Sequence, residues 1–204
     1  MPFMRGIVVL ASIVLLAFCL QAFAQNPPTK APPTAPAQKA APAAPAQSQQ
    51  GVDRGKYLVT IMGCHDCHSP KANNEPDPKR LLSGHPGNEK LLPVPAGLIG
   101  PDKWGTLVNN NLTAWVGPWG VSFAANLTPD KVTGLGAWTP DMFVKALRTG
   151  KHRGDGRTIL PPMPWQLYVN VTEADLRAMF AYLMTLPPIN NMVPPPIPPE
   201  KIPH

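Results

Sequence analysis

Two cysteines and two histidines fall within five residues, in the run Cys64-His65-Asp66-Cys67-His68. Two thiols at this spacing can add to the two vinyl groups of one haem, and the histidine that follows can present an imidazole nitrogen to the iron. The spacing matters because covalent attachment and axial ligation must both occur on one local turn. The pattern is typical of c-type haem attachment. We therefore expect one haem c, covalently held by Cys64 and Cys67, with His68 as an iron ligand.

Two other kinds of site also use closely spaced cysteines. A redox dithiol of the thioredoxin type needs a strand–helix–strand context, and no such pattern precedes Cys64. A zinc site needs further ligands, but the third cysteine, Cys19, lies in an N-terminal apolar run, and His85 and His152 are distant in sequence. The sequence therefore favours haem attachment over both alternatives.

A second iron ligand is predicted at Met163, which stands between two prolines in residues 160–165. Proline fixes the backbone and removes amide donors, so this loop is predicted to be stiff. A stiff loop can hold a thioether at a fixed distance from iron, and a Met/His pair raises the reduction potential relative to two nitrogen ligands. His85, flanked by glycine and proline, is an alternative ligand, although a surface position is the usual one for such a histidine.

Helices are needed to position these side chains, and apolar residues recur at helical spacing in three segments. The predicted helices cover residues 51–63, 139–149 and 172–186. The first leads directly into the cysteine–histidine run, with Asp53 as its expected N-cap, while Thr139 and Thr172 are the expected N-caps of the others. Residues 69–125 contain clusters of Gly, Pro and Asn and are predicted to be irregular, wrapping the haem edge or forming a docking surface.

Composition limits the function classes. The chain has 204 residues, 29 of them proline, three cysteines and a formal net charge of +6. This mild basic balance suits docking on an acidic partner or a membrane surface, and it does not indicate nucleic-acid binding. With one cysteine in the N-terminal run and two in the haem motif, no disulfide framework is predicted.

The N-terminus has the features of a secretory signal. Arg5 supplies the positive charge, residues 6–20 are apolar, and Ala22-Phe23-Ala24 is a cleavage site of the A-x-A type. We expect a signal peptide at 1–24 and a linker rich in Pro and Ala at 25–50. An uncleaved segment would instead tether the protein to a membrane. Either outcome places the remaining chain in the periplasm, outside the cytoplasm.

The order of these features resembles that of class I c-type cytochromes over residues 51–188: a helix, C-x-x-C-H, a long loop, a helix, Met163 and a C-terminal helix. The resemblance implies an all-α cytochrome c fold, with few helices around one haem and long irregular loops. It also implies that Gly55 meets Tyr182 or Phe180 where the first and last helices cross.

A closer likeness lies in Asn126-Leu127-Thr128-Pro129-Asp130 and in Thr133-Gly134-Leu135-Gly136-Ala137-Trp138-Thr139. These runs are similar to segments of the cytochrome subunits of bacterial periplasmic alcohol and aldehyde dehydrogenases. The likeness implies that Trp138 and Arg157 line the haem or bond its propionates.

We therefore expect a monohaem electron carrier rather than an enzyme, with a cytochrome domain at 51–188 and a Pro-rich tail at 189–204. Its expected partners are redox proteins: a dehydrogenase or reductase as donor and an oxidase as acceptor. It could also be the electron-accepting subunit of a dehydrogenase complex. The alternative is a haem enzyme or a ligand-binding haem sensor, which would need an open sixth iron position in place of Met163.

Overall fold

A computed structural model describes residues 48–100 and 102–203. The predicted signal segment and most of the predicted linker lie outside the described residues. Within the described ranges the chain forms five α-helices and two small antiparallel sheets. The prediction of an all-α fold is therefore wrong, because the fold is mixed α and β.

The helices are α1 (Gln49–Ile61), α2 (Cys64–His68), α3 (Pro140–Thr149), α4 (Trp165–Tyr168) and α5 (Glu173–Leu183). The strands β1 (Lys71–Ala72) and β2 (Glu75–Pro76) form one sheet, and β3 (Leu107–Val108), β4 (Ala114–Gly117) and β5 (Gly120–Phe123) form the other in that order. Among residues 48–100 and 102–203, no helix combines the length and apolar character needed to cross a bilayer.

Hydroxyl side chains begin the three long helices. Thr139 accepts a hydrogen bond from the backbone N–H of Met142 at 3.2 Å, and Thr172 accepts one from the N–H of Asp175 at 3.1 Å. Both predicted caps are thus confirmed. Helix α1 begins two residues earlier than predicted, because Ser48 is its N-cap, whereas Asp53 lies within the helix.

Helices α1 and α5 pack closely at Gly55. A Cβ atom at this position would lie 1.9 Å from the carbonyl oxygen of Ala178 and 2.9 Å from the Cβ of Tyr182. Only a residue without a side chain permits this approach, and the predicted contact between Gly55 and Tyr182 is confirmed. At the same interface, Arg54 donates to both carboxylate oxygens of Asp175, at 2.9 and 3.2 Å.

Helices α1, α3, α4 and α5 enclose the larger of two apolar cores. Its fully buried members include Val59 of α1 and Leu176 and Leu183 of α5. Partly buried apolar side chains pack against this core, and they include Cys64, Trp138 and Met163. Three of the predicted site residues therefore adjoin one core.

All five strands fall in residues 69–125, which the sequence analysis predicted to be irregular. Strands of two to four residues are too short to show the alternation that identifies a strand in sequence. The β4–β5 hairpin illustrates this, since Gly117 pairs with Gly120 around a two-residue turn, and Gly120 has a φ of +98°. A glycine–proline cluster that indicated a loop is therefore the turn of a hairpin.

The second core lies beneath the three-stranded sheet and is covered by the proline-rich tail. Val94, Val116 and Val121 are its buried members. The tail residue Ile197 pairs with Val121 through two backbone hydrogen bonds of 2.7 and 3.0 Å, and the N–H of Val94 donates to the carbonyl of Pro203. The tail is extended, and it is hydrogen-bonded to one edge of β5.

Candidate functional site

The cysteine–histidine run folds as the single short helix α2. Gly63 precedes it with a φ of +67°, a left-handed conformation that glycine adopts without strain. Cys64 and Cys67 are three residues apart and therefore share a helix face, and both thiols are free and half-buried. The predicted attachment residues and His68 are thus presented together on one turn and a half of helix.

The imidazole of His68 is oriented by a backbone carbonyl. Its Nδ1 lies 2.7 Å from the carbonyl oxygen of Ala125, the second residue after β5. This contact assigns the proton to Nδ1 and leaves the lone pair of Nε2 for a metal ion. Burial lowers the pKa of His68, with the Ala125 carbonyl acting in the opposite direction. The neutral imidazole that ligation requires is therefore favoured at pH 7.

Backbone hydrogen bonds join α2 to the segment that follows β5. The carbonyl of His68 accepts from the N–H of Gly84 at 2.8 Å, and the N–H of His85 donates to the carbonyl of Ala124 at 2.9 Å. A Cβ at Gly84 would lie 2.6 Å from the Ala124 oxygen. Residues 84–85 therefore lie between α2 and the segment that follows β5, and they are hydrogen-bonded to both.

The Met163 loop is anchored from two sides. On one side Ser122 of β5 donates its hydroxyl hydrogen to the carbonyl of Pro161 at 2.5 Å, and Trp119 donates to the Ser122 oxygen at 3.2 Å. On the other side the N–H of Trp165 donates to the carbonyl of Met163 at 2.9 Å. The thioether itself is half-buried against the helical core. This arrangement agrees with the stiff loop that the prolines predict.

Tyr168 connects the Met163 loop with the haem motif. It lies five residues after Met163, is buried in the helical core and shares a side-chain hydrogen bond with Cys64. Burial raises the pKa of Cys64 to about 11, and the Tyr168 hydrogen bond offsets part of this rise. Burial, followed by the charge and hydrogen bond of Cys64, raises the pKa of Tyr168. The loop that carries the predicted second ligand is thereby tied to the helix that carries the first.

Burial also raises the pKa of Cys67. The carboxylate of Asp66 acts in the same direction, and the ammonium group of Lys71 acts against it. Both cysteines of the motif are therefore neutral thiols at pH 7.

The two residues that the dehydrogenase likeness implies lie in or beside a basic loop, residues 151–157. Trp138 is half-buried, with its ring edge-on to His152 at 5.0 Å and the Arg153 guanidinium 6.0 Å from its centre. The backbone of Arg157 accepts from the N–H of His152, while its side chain donates to the carbonyl of Thr158 at 3.3 Å. Their roles toward the haem propionates stay a prediction.

His85 is not at the surface, contrary to the sequence expectation. Its ring is buried, packs 4.8 Å from the ring of Phe123 and places Nδ1 3.0 Å from the hydroxyl of Thr113. Burial lowers its pKa, while the charge of Glu89 raises it. Gly84 and Pro86 indicated a turn, but tertiary packing encloses that turn. No set of three or more His, Cys, Asp or Glu residues converges as metal ligands within 48–100 and 102–203.

Three contributors to the site were missed by the sequence analysis. The carbonyl of Ala125 carries no sequence signal, because every residue has one. Ser122 and Tyr168 act through partners 39 and 104 residues away in the chain, at Pro161 and Cys64. The tyrosine alone had a signal, namely an aromatic residue shortly after the Met163 loop.

Comparison with known proteins finds relatives that are named as cytochrome subunits of dehydrogenases. No family model matches the chain. It is similar to the alcohol dehydrogenase (quinone), cytochrome c subunit, of Gluconobacter oxydans (42% identity over 136 residues, 65% of this chain and 21% of that protein). It is also similar to the fructose dehydrogenase cytochrome subunit of Gluconobacter japonicus (30%, 66% and 21%) and the gluconate 2-dehydrogenase cytochrome c subunit of Pantoea cypripedii (31%, 65% and 22%).

The chain spans about a fifth of the length of these relatives. The predicted likeness to a c-type cytochrome of the dehydrogenase-subunit kind is confirmed by the three similarities.

Proposed function

We propose that the chain is an electron-transfer protein that carries one electron on a single covalently attached haem c, with His68 and Met163 as the iron ligands. Its similarity to cytochrome c subunits of dehydrogenases supports an electron carrier rather than a catalytic subunit. The observation that best supports this proposal is the orientation of His68. Its Nδ1 donates to the Ala125 carbonyl, which leaves Nε2 available to bind iron.

The residues present fit a haem in two respects. Cys64 and Cys67 are free thiols on one helix face and would form the two thioether bonds. Cys64, Trp138 and Met163 belong to the partly buried apolar set around the helical core, as the low-polarity surroundings of a porphyrin require. When bound, the haem supplies a reversible one-electron change at iron.

The protein residues orient that group and set its surroundings. His68 and Met163 would remain bound in both oxidation states, which keeps structural reorganisation small during transfer. Tyr168 and Ser122 hold the two ligand-bearing segments in place. Trp138 and Arg157 would contact the haem edge and its propionates.

The cellular role follows from the relatives and the N-terminal sequence. The donor would be a dehydrogenase or reductase, since the relatives are named as cytochrome subunits of fructose, gluconate and alcohol dehydrogenases. The acceptor would be an oxidase. The signal-like residues 1–24 support export to the periplasm, with an uncleaved segment as a tether to the membrane.

The test is an optical spectrum of the purified exported protein, oxidised and reduced, for the wild type and Met163→Ala. Thioether ligation predicts a weak near-infrared-edge band in the oxidised wild type that is lost in Met163→Ala. The matched control is Met192→Ala, because Met192 is 62% exposed on the tail, and this variant should keep the band. A wild type that lacks the band and readily binds carbon monoxide when reduced would contradict His/Met ligation and favour a haem enzyme or sensor.

A further inference from the structure

Lys71 closes the C-terminal end of the haem-motif helix. Its Nζ donates to the carbonyl oxygens of Asp66 at 2.7 Å, Ser69 at 2.9 Å and His65 at 3.4 Å. The last carbonyls of a helix lack partners within the helix and form its negative end. The ammonium group of Lys71 thus donates three hydrogen bonds to backbone carbonyls around His68.

The position of Lys71 is fixed by the sheet region. Its N–H donates to the side-chain oxygen of Asn111 at 3.3 Å, and Asn111 donates to the Glu89 carboxylate at 2.7 Å. The same carboxylate accepts from Asn109 at 3.0 Å. Lys71 also pairs with Pro76 in the β1–β2 hairpin. The ammonium group is therefore attached to a backbone that the fold holds in place.

The carboxylates of Glu89 and Asp66 do not form an ion pair with the ammonium group of Lys71. The Glu89 carboxylate is engaged by two asparagine amides, and no ion pair with Lys71 is found among residues 48–100 and 102–203. Asp66 contributes its carbonyl to Lys71, while its carboxylate faces Gly63, where a Cβ would lie 2.9 Å from Oδ2. The positive charge of Lys71 is therefore directed at the haem motif without being neutralised by a bonded carboxylate.

We propose that Lys71 raises the reduction potential of the haem carried by α2, in addition to positioning the turn. This inference rests on the proposed function. Taking up one electron from a dehydrogenase-class donor lowers the positive charge of the centre by one, and a fixed cation nearby favours that reduced state. Lys71 is thus a positioning and potential-setting residue rather than an iron ligand.

The expected size follows from Coulomb's law. A unit charge acting across one short helix, about 10 Å wide, at an effective dielectric constant near 20 and with partial screening by solvent, changes the one-electron equilibrium about threefold to tenfold. At 59 mV per tenfold this is about 30 to 60 mV. Removing the charge should lower the potential by that amount.

The experiment is a mediated redox titration of purified haem-loaded protein, followed optically, in four variants. Lys71→Met removes the charge and the donor, and Lys71→Gln removes the charge but keeps a donor. Lys71→Arg keeps the charge, and Lys131→Met removes an equal charge at an exposed lysine that forms no ion pair in the described residues. We expect the potential to fall in Lys71→Met and Lys71→Gln and to stay near the wild-type value in Lys71→Arg and Lys131→Met.

Equal shifts in Lys71→Met and Lys131→Met would overturn the proposal, because a general surface charge would then explain both. Failure of both neutral variants at Lys71 to load haem would also overturn it, since the ammonium would then serve folding alone. These outcomes differ from failure of the proposed function, in which the wild type itself would carry no covalently bound haem after denaturing electrophoresis.

Discussion

The contact between α1 and α5 predicts the cost of adding one methyl group. In Gly55→Ala the new Cβ would lie 1.9 Å from the carbonyl oxygen of Ala178, 2.5 Å from its carbonyl carbon and 2.9 Å from the Cβ of Tyr182. The two nearest atoms belong to the backbone of α5, so no side-chain rotation relieves the overlap. The helices must separate, and the core beneath them loosens.

The magnitude is a balance of two opposing effects. Overpacking of a tight core costs about 3 kcal/mol at the upper end of its usual range. Alanine returns about 1 kcal/mol through its better helix propensity. We therefore expect the free energy of unfolding to fall by about 2 kcal/mol, which lowers the Tm by roughly 4 to 8 °C for a domain of this size.

The assay is urea unfolding of the haem-loaded protein, followed by far-ultraviolet circular dichroism. The matched control is Gly105→Ala, because a Cβ at Gly105 would meet nothing within 4 Å. The control should leave the free energy of unfolding nearly unchanged. A Gly55→Ala protein as stable as the wild type would refute the reasoning, and so would an equal loss in the control, because the effect would then not come from helix contact.

Two further perturbations test contacts around the site and the helix pair. Ser122→Ala removes the hydroxyl that donates to the Pro161 carbonyl, which should weaken the hold on the Met163 loop by about 1 kcal/mol. In an optical titration, the imidazole concentration that displaces the proposed ligand Met163 should therefore be about fivefold lower than in the wild type. An unchanged titration would contradict this. The Arg54 hydrogen bond lowers the pKa of Asp175, so this largely exposed pair should contribute about 0.5 kcal/mol at neutral pH. That contribution should be lost as pH falls below about 4. Unfolding curves of Asp175→Asn should lack this acid-dependent part, and a loss identical to that of the wild type would refute the assignment.

Local patterns in the sequence were sufficient to predict the three long helices. Thr139 and Thr172 identified helix starts because a capping hydroxyl acts on a backbone N–H three residues away. Gly55 identified the α1–α5 contact through the family resemblance. For the two helix starts the partner is close in sequence, so no knowledge of the tertiary fold was needed. The partners of Gly55 are distant in sequence, and that contact could be predicted only because the family resemblance implies how the first and last helices cross.

The sheets and the buried histidine could not be predicted in this way. The strands at 69–125 are two to four residues long, and each pairs with a neighbour close to it in sequence, so they are too short for an alternation of apolar and polar residues to identify them. His85 is buried because Phe123 and Thr113 pack against it from 28 to 38 positions along the chain. Gly and Pro beside it specify a turn but carry no information about whether that turn is covered.

The strand β5 and the residues after it connect the two predicted iron ligands. Ser122 binds the carbonyl of Pro161, two residues before Met163, and the carbonyl of Ala125 binds His68. Four positions of one short, hydrogen-bonded segment therefore reach both ligand-bearing parts of the chain. Because the Val121–Ile197 pairing fixes β5 from its other edge, a displacement of this strand would move both ligands together. Residues 69–125 thus act as a scaffold for the site, in addition to any contact that they make with a redox partner.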